Sequence, residues 1–334
     1  VSVSPHIISQ VQSILSIDTS TQNKRVGILI ITYNAVDTVI QVLKRIPAGV
    51  MDSVEEVVVF DDASQDHTFE AAYGYKSFQG IDKLTVIRNE RNLGYGGNQK
   101  KGYRYFLEKG FDVVVLLHGD GQYAPEMLAA MYRPIVEGQA DAVFGSRMMT
   151  EFGGALRGGM PFYKFLGNRI LTYYENRALK MNLTEFHSGY RAYSLHALRQ
   201  INFDHMTDDF HFDTEIIIKL HHQRLRIREI PIPTYYGDEI SYVNGFRYAW
   251  DVHLAVRRYL QTVRSVKRNP EYAEYYVHYP IKETKYSSHY YIEKMVGTGR
   301  HVLDCACGEG TLAAHLMKNG NTVIGIDILD SAPQ

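Results

Sequence analysis

Val26-Gly27-Ile28-Leu29-Ile30-Ile31-Thr32-Tyr33-Asn34 is an apolar run of strand length that ends in a polar cluster. The next hundred residues repeat that form. Val54 to Phe60 runs into Asp61-Asp62-Ala63-Ser64-Gln65-Asp66, Lys83 to Arg88 into the turn Asn89 to Asn98, and Val113 to Leu117 into His118-Gly119-Asp120-Gly121-Gln122. Ala142 to Gly145 and Leu225 to Ile232 read as further strands. Between them lie helical stretches with ordinary start and stop signals: Asp37 to Arg45 before Pro47, Asn98 to Lys109 before Gly110, and Pro125 to Glu137 before Gly138. This alternation predicts an α/β fold around a mainly parallel sheet. Ligands of such sheets bind outside the carboxyl ends of the strands, so the four polar clusters are expected to converge on one edge. Carboxylates and glycines gathered there suit a phosphate-bearing ligand with a divalent cation, because hard cations take oxygen ligands and bridge phosphates.

The chain has 334 residues, room for about two domains at roughly 150 residues each. Its 36 Lys+Arg against 37 Asp+Glu leave a formal charge of -1, which argues against nucleic-acid binding through global charge. No apolar run approaches the ~18 residues of a membrane-spanning helix, and Val1 to Ile17 has neither a basic leader nor a long apolar core. No transmembrane segment and no secretory signal are therefore expected. The two cysteines, Cys305 and Cys307, are spaced for neither a disulfide framework nor a zinc site, as in a reduced, cytoplasmic protein.

Five motifs occur in order: Ile30 to Asn34, Asp61 to Thr68, Asp120-Gly121-Gln122, Gly145-Ser146-Arg147 and His187-Ser188-Gly189-Tyr190-Arg191. Over about residues 25 to 240 the chain resembles the inverting family 2 glycosyltransferases of the GT-A fold, in particular their dolichol-phosphate mannosyltransferase-like branch. The resemblance implies a Rossmann-like mixed sheet with helices on both faces, a nucleotide-diphosphate sugar (UDP- or GDP-linked) as donor and Mg2+ or Mn2+ as cofactor. It places Thr32, Tyr33 and Asn34 at the base and ribose, Asp61 and Asp62 on the nucleoside, and Gly94, Asp120 and Arg147 on the nucleotide sugar. Read without it, Asp61, Ser64 and Asp66 are turn and cap residues.

The resemblance makes Asp120 and Gln122 metal ligands, but the family's first Asp of Asp-x-Asp is His118 here. His118 reads as a nitrogen ligand better suited to manganese, as a diphosphate contact, or as a structural histidine. Charge building on a leaving diphosphate needs a cation and basic side chains. Arg88, Lys100, Arg147, Arg157 and Arg191 are the candidates, Arg191 matching the family's Ser-Gly-Phe-Arg arginine; Lys100 and Lys101 read as a solvated helix face. A hydroxyl acceptor also needs a general base, for which Asp213 or Glu215 leads and Asp209 follows. A phosphate acceptor, such as a polyprenyl phosphate, needs positioning more than deprotonation.

Residues 1–24 read as an extension, 25–240 as the catalytic domain and 241–285 as a helical arm. Within the arm, Phe246 to Arg268 carries Trp250, Leu254, Leu260 and Val263 beside basic residues. That pattern suits either peripheral contact with an anionic membrane at its inner face or a helix packed on its own domain with a solvated basic face. In 286–334, His301 to Gly310, a helical Thr311 to Lys318 and a strand Thr322 to Ile326 ending at Asp327 resemble the first motif of class I S-adenosylmethionine-dependent methyltransferases. The resemblance puts Gly308 and Gly310 at the methionine-side turn and Asp327 on the ribose. Two strands of a sheet that normally has about seven imply S-adenosylmethionine as cofactor only of a complete domain. The other readings are a non-catalytic nucleotide-sugar-binding module and a bifunctional protein whose main activity is methyl transfer.

Overall fold

The structure is a computed structural model that describes residues 24–235, 244–264, 281–282, 284–305, 307 and 310–326. Its contacts divide the chain into two units, Val1–Val256 and Arg257–Gln334. The expected Gly308 and Asp327, and most of the stretches 1–24 and 265–285, lie outside the described residues.

In the first unit the strands are β1 (Val26–Thr32), β2 (Glu56–Asp61), β3 (Leu84–Arg88), β4 (Val113–His118), β5 (Ala142–Ser146), β6 (Arg191–Ser194) and β7 (Ile227–Pro231). They form one sheet in the order β3-β2-β1-β4-β6-β5-β7, parallel except for β6, which runs antiparallel between β4 and β5. The helices are α1 (Val39–Lys44), α2 (Ala48–Ser53), α3 (Thr68–Gln79), α4 (Gly94–Glu108), α5 (Leu128–Val136), α6 (Gly154–Arg157), α7 (Phe162–Leu179), α8 (Leu195–Gln200), α9 (Phe212–His222) and α10 (Gly245–Arg264), whose last residues pass into the second unit.

Side chains alternate across a strand, and β1 shows what that alternation covers. Ile28 and Ile30 join a core with Val39, Val42, Leu128 and Met131 from α1 and α5. Gly27 and Leu29 face the other way: a Cβ on Gly27 would collide with Phe106, and one on Gly102 with Leu29, so α4 lies close against that face. Helices thus cover both faces, which is why β1 reads as a continuous rather than an alternating apolar run.

Two expectations change. Helix α4 starts at Gly94 rather than Asn98, because its glycines admit a crossing segment and do not form a turn. Lys100 is buried, its ammonium on the Met206 carbonyl (2.7 Å) and the Asp208 carboxylate (2.6 Å), and is no solvated face.

The second unit contains α11 (Ser288–Val296), β8 (His301–Cys305), α12 (Thr311–Lys318) and β9 (Thr322–Ile326), with β8 and β9 paired in parallel. The strand, helix and strand expected there fall on these bounds.

Candidate active site

Parallel register aligns the strand ends. Thr32 pairs with Asp61, Asp61 with Arg88, and Ile31 with His118, so all four polar clusters leave the sheet from one edge. Neighbouring strands diverge in sequence on either side of β1, which makes this edge the topological switch point of the sheet.

The first two loops are stitched together. The Ser64 hydroxyl accepts the Asn34 N–H (2.9 Å), Asn34 Oδ1 accepts the Gln65 N–H (3.0 Å), and Thr68 Oγ1 accepts the Ala35 N–H (2.8 Å). Asn34, Ala63 and His67 take positive φ of 49°, 57° and 65°, a conformation costly for residues with a Cβ that clusters at functional sites. Asp61 is fully buried and takes the Ser64 hydroxyl and backbone N–H; burial pushes its carboxyl above the usual value against those bonds. Thr32 Oγ1 lies 3.4 Å from Asp61 Oδ1, and Tyr33 stands exposed beside it.

Asp62 faces inward. Its carboxylate accepts the Asn89 amide (2.8 Å) and the Leu93 and Gly94 N–H groups (2.9 and 3.0 Å), and so anchors the start of α4. Gly94 has φ +80°, and a Cβ there would lie 2.7 Å from the Asp208 carbonyl. Asp66 accepts the Thr68 and Val36 N–H groups at 3.1 Å, a turn residue just ahead of α3, whose N-cap position is His67.

At the end of β4, Asp120 Oδ1 accepts the Gln122 N–H (3.0 Å) and Oδ2 lies 4.0 Å from His118 Nδ1. Two donors at this spacing fit a cation that takes its other ligands from a bound diphosphate. Among the described residues no three His, Cys, Asp or Glu gather into a complete protein site. Burial lowers the pKa of His118 from its ordinary value.

The two arginines are held inside the protein. Arg191 is buried and donates to the Ser188, Phe186 and Asp213 carbonyls (2.8, 2.8 and 3.0 Å) while stacking over Phe144. Its geometry is that of a positioning residue for the His187 to Arg191 loop. Arg147 binds Glu185 through Nε (2.9 Å) and the His187 carbonyl through Nη2 (2.8 Å).

Among the acidic candidates Asp213 stands apart. Its Oδ2 accepts the Tyr95 hydroxyl (2.9 Å) and lies 3.7 Å from Arg191, whereas its buried Oδ1 has no hydrogen-bond partner among the described residues. A buried unpaired carboxylate oxygen is costly unless something else supplies the proton or cation. Glu215 instead accepts the Thr207 N–H (2.8 Å), and Asp209 is exposed. Sequence reasoning missed Tyr95, Glu185 and Glu175. Only Tyr95 carried a signal, as an aromatic hydroxyl among the glycines at 94, 96 and 97.

Comparison with known proteins identifies the family. Residues 27–201 match the family model "Glycosyl transferase family 2". The chain is 31% identical over 209 residues to an undecaprenyl-phosphate mannosyltransferase of Micrococcus luteus, covering 62% of this chain and 82% of that one. It is 26% identical over 228 residues to a UDP-N-acetylglucosamine--dolichyl-phosphate N-acetylglucosaminyltransferase of Methanococcus voltae, covering 65% and 88%. Among solved structures it is similar in fold to glucosyl-3-phosphoglycerate synthase from Mycobacterium tuberculosis in complex with Mn2+, UDP and phosphoglyceric acid, with TM-score 0.55 and 15% identity over 71% of this chain and 78% of that one. The family match spans more than half of the chain, which therefore belongs to glycosyl transferase family 2 and is a glycosyltransferase.

Proposed function

We propose that this enzyme moves a sugar, with inversion, from a UDP- or GDP-linked donor to a polyprenyl phosphate in the presence of Mg2+ or Mn2+. Thr32, Tyr33, Asn34 and Asp61 form the nucleoside side of the site, with Asp62 and Gly94 shaping the loop behind it. Asp120, Gln122 and His118 hold the cation, and the Gln122 backbone N–H fixes the Asp120 turn. When bound, the cation offsets the charge that builds on the departing diphosphate. Arg191 and Arg147 hold the acceptor-side loop in shape.

The observation that carries the lipid acceptor is a solvent-facing stripe on α7. Phe162, Leu166, Ile170 and Tyr173, the last 72% exposed, follow helical spacing along one face. Arg169, Arg177 and Lys180 share that face, and the one acid of the helix, Glu175, is buried on the other. Phe246 (92% exposed) and Trp250 on α10 continue the pattern. His187 ties both helices to the catalytic loop, with Nδ1 2.9 Å from the Tyr248 hydroxyl and Nε2 3.0 Å from Glu175. Apolar bulk flanked by cations suits an anionic bilayer surface where such an acceptor resides. Among the described residues no helix is long and apolar enough to cross a membrane. The two named relatives carry polyprenyl phosphates in their names.

A second reading, a hydroxyl acceptor, is favoured by the unpartnered Asp213 Oδ1, which suits a general base. Purified protein assayed with UDP- and GDP-sugars against polyprenyl phosphate and hydroxyl acceptors, with Mg2+ or Mn2+, tests both. A lipid-linked product of inverted configuration supports the first, and binding without turnover of any donor reduces the chain to a nucleotide-sugar-binding module. Asp213→Asn lowers kcat by about 10²–10⁴-fold if Asp213 is a base for a hydroxyl, and much less for a phosphate acceptor. The parallel β8-β9 pair crossed by α12 further supports reading the second unit as the opening of an S-adenosylmethionine-dependent methyltransferase fold. S-adenosylmethionine titrated into a chain that carries a full sheet of this type tests that assignment.

A further inference from the structure

We propose that Tyr95 is a positioning residue that holds His118 as its Nε2–H tautomer, leaving Nδ1 as a nitrogen donor aimed at the cation beside Asp120 and biasing the site towards Mn2+ over Mg2+. The inference rests on the metal-dependent reading above and concerns the position where this chain departs from the family's carboxylate.

The argument begins with one proton. The Tyr95 hydroxyl has a single hydrogen and two neighbours, Asp213 Oδ2 at 2.9 Å and His118 Nε2 at 3.3 Å. A carboxylate oxygen can only accept, so the Tyr95 hydrogen goes to Asp213. The Tyr95 oxygen then presents a lone pair to His118, and Nε2 must carry hydrogen to avoid two opposed lone pairs. In a neutral ring that places the free lone pair on Nδ1, the atom 4.0 Å from Asp120 Oδ2.

The ring has little freedom to turn over. Tyr95 and Tyr123 meet it edge-on at centroid distances of 5.6 and 5.0 Å. A Cβ on Gly189 would lie 2.5 Å from His118 Cε1, 2.6 Å from Nε2 and 2.8 Å from the Tyr95 hydroxyl, so this glycine admits the pair. The Tyr123 hydroxyl accepts the Gly189 N–H at 2.7 Å and fixes the third wall. Imidazole nitrogen suits Mn2+ better than Mg2+, which prefers oxygen. Metal-ligating histidines have their tautomer set by the partner of the other ring nitrogen, and removing such a partner typically costs 10–100-fold in metal affinity.

The test uses the whole chain. In 15N-histidine NMR of the metal-free protein near pH 7.5, His118 shows a protonated Nε2 and a bare Nδ1, and in Tyr95→Phe the two tautomers mix. With Mn2+ and UDP as probes, pulsed EPR shows a 14N coupling that His118→Asp abolishes. Calorimetry with UDP shows the Mn2+ over Mg2+ preference falling about tenfold or more in both variants. Circular dichroism and thermal unfolding confirm that both variants fold. A His118 with hydrogen on Nδ1, or Mn2+ bound with UDP but without nitrogen coupling, overturns the proposal and leaves the metal-dependent reading standing. Failure of Mn2+ to bind in the presence of UDP overturns both.

Discussion

Strands β1 and β8 have similar sequence grammar, an apolar run leading through a glycine-containing or polar turn into a helix, and opposite environments. Every residue of β1 is buried, with Ile30 at 0% exposure between two strands and beneath helices on both faces. Strand β8 alternates between exposed and half-buried residues, and Leu303 and Ile324 remain 59% and 64% exposed. A strand-helix-strand unit acquires a core only when further strands and helices close around it. A site that depends on fixed strand ends therefore belongs to the first unit.

Amide hydrogen exchange breaks or sharpens this contrast most directly. β1 and β4 are expected to exchange only through global opening, whereas a two-stranded sheet is marginal alone. The protection ratio between β1 and β8 should be at least ~10³, read by mass spectrometry, and equal protection would remove the distinction. The same deletion in both places comes next. Ile30→Ala should cost about 2–5 kcal/mol in chemical denaturation, and Ile324→Ala, in β9 opposite Leu303 of β8, less than about 0.5 kcal/mol.

Acid sensitivity is the smallest effect. Burial opposes ionisation of Glu185, but the Arg147 guanidinium and the bonds from Arg147 and Asn168 outweigh it and hold the carboxyl below the ordinary glutamate value. Its stabilisation is thus complete above ~4.3, the unfolded value, and is lost as pH falls through the lower folded value. Asp61, raised by burial, acts in the opposite sense, since the native state takes up its proton first as pH falls. Urea midpoints measured from pH 7 to 3 should fall on the acid side in the native protein and more shallowly in Glu185→Gln, while exchange in β8 should show no matching transition.

What was legible in the chain follows from the same contrast. The central parallel strands β1, β2 and β4 announce themselves because burial on both faces makes them continuous apolar runs. Strand β6 was not, because its four residues Arg191 to Ser194 carry no periodicity and belong to the sheet only through pairing with β4 and β5. Helix α3 went unread behind the Asp66-His67-Thr68 turn, its aromatic and small residues giving a weak stripe. At the candidate site, the partners of the side chains were not legible. Nothing in Gly145-Ser146-Arg147 indicates that the arginine meets Glu185 from 38 residues further along, and an inward-facing Asp62 looks the same in sequence as the Asp61 beside it.

Strand β6 also bears on how the chain assembles. Strands β1 to β4 pair among themselves and are complete by residue 118, so a growing chain holds Thr32, Asp61 and His118 in register early. β5 cannot join them until β6 is made, since among the described residues it is β6 that bridges β4 and β5, and its pairing with β4 closes a loop of more than 70 residues. Long-range pairings form late because the loop must close before they are rewarded. During synthesis the groups at the ends of β1 to β4 are therefore in place before β6 and before Asp213, which lies beyond it.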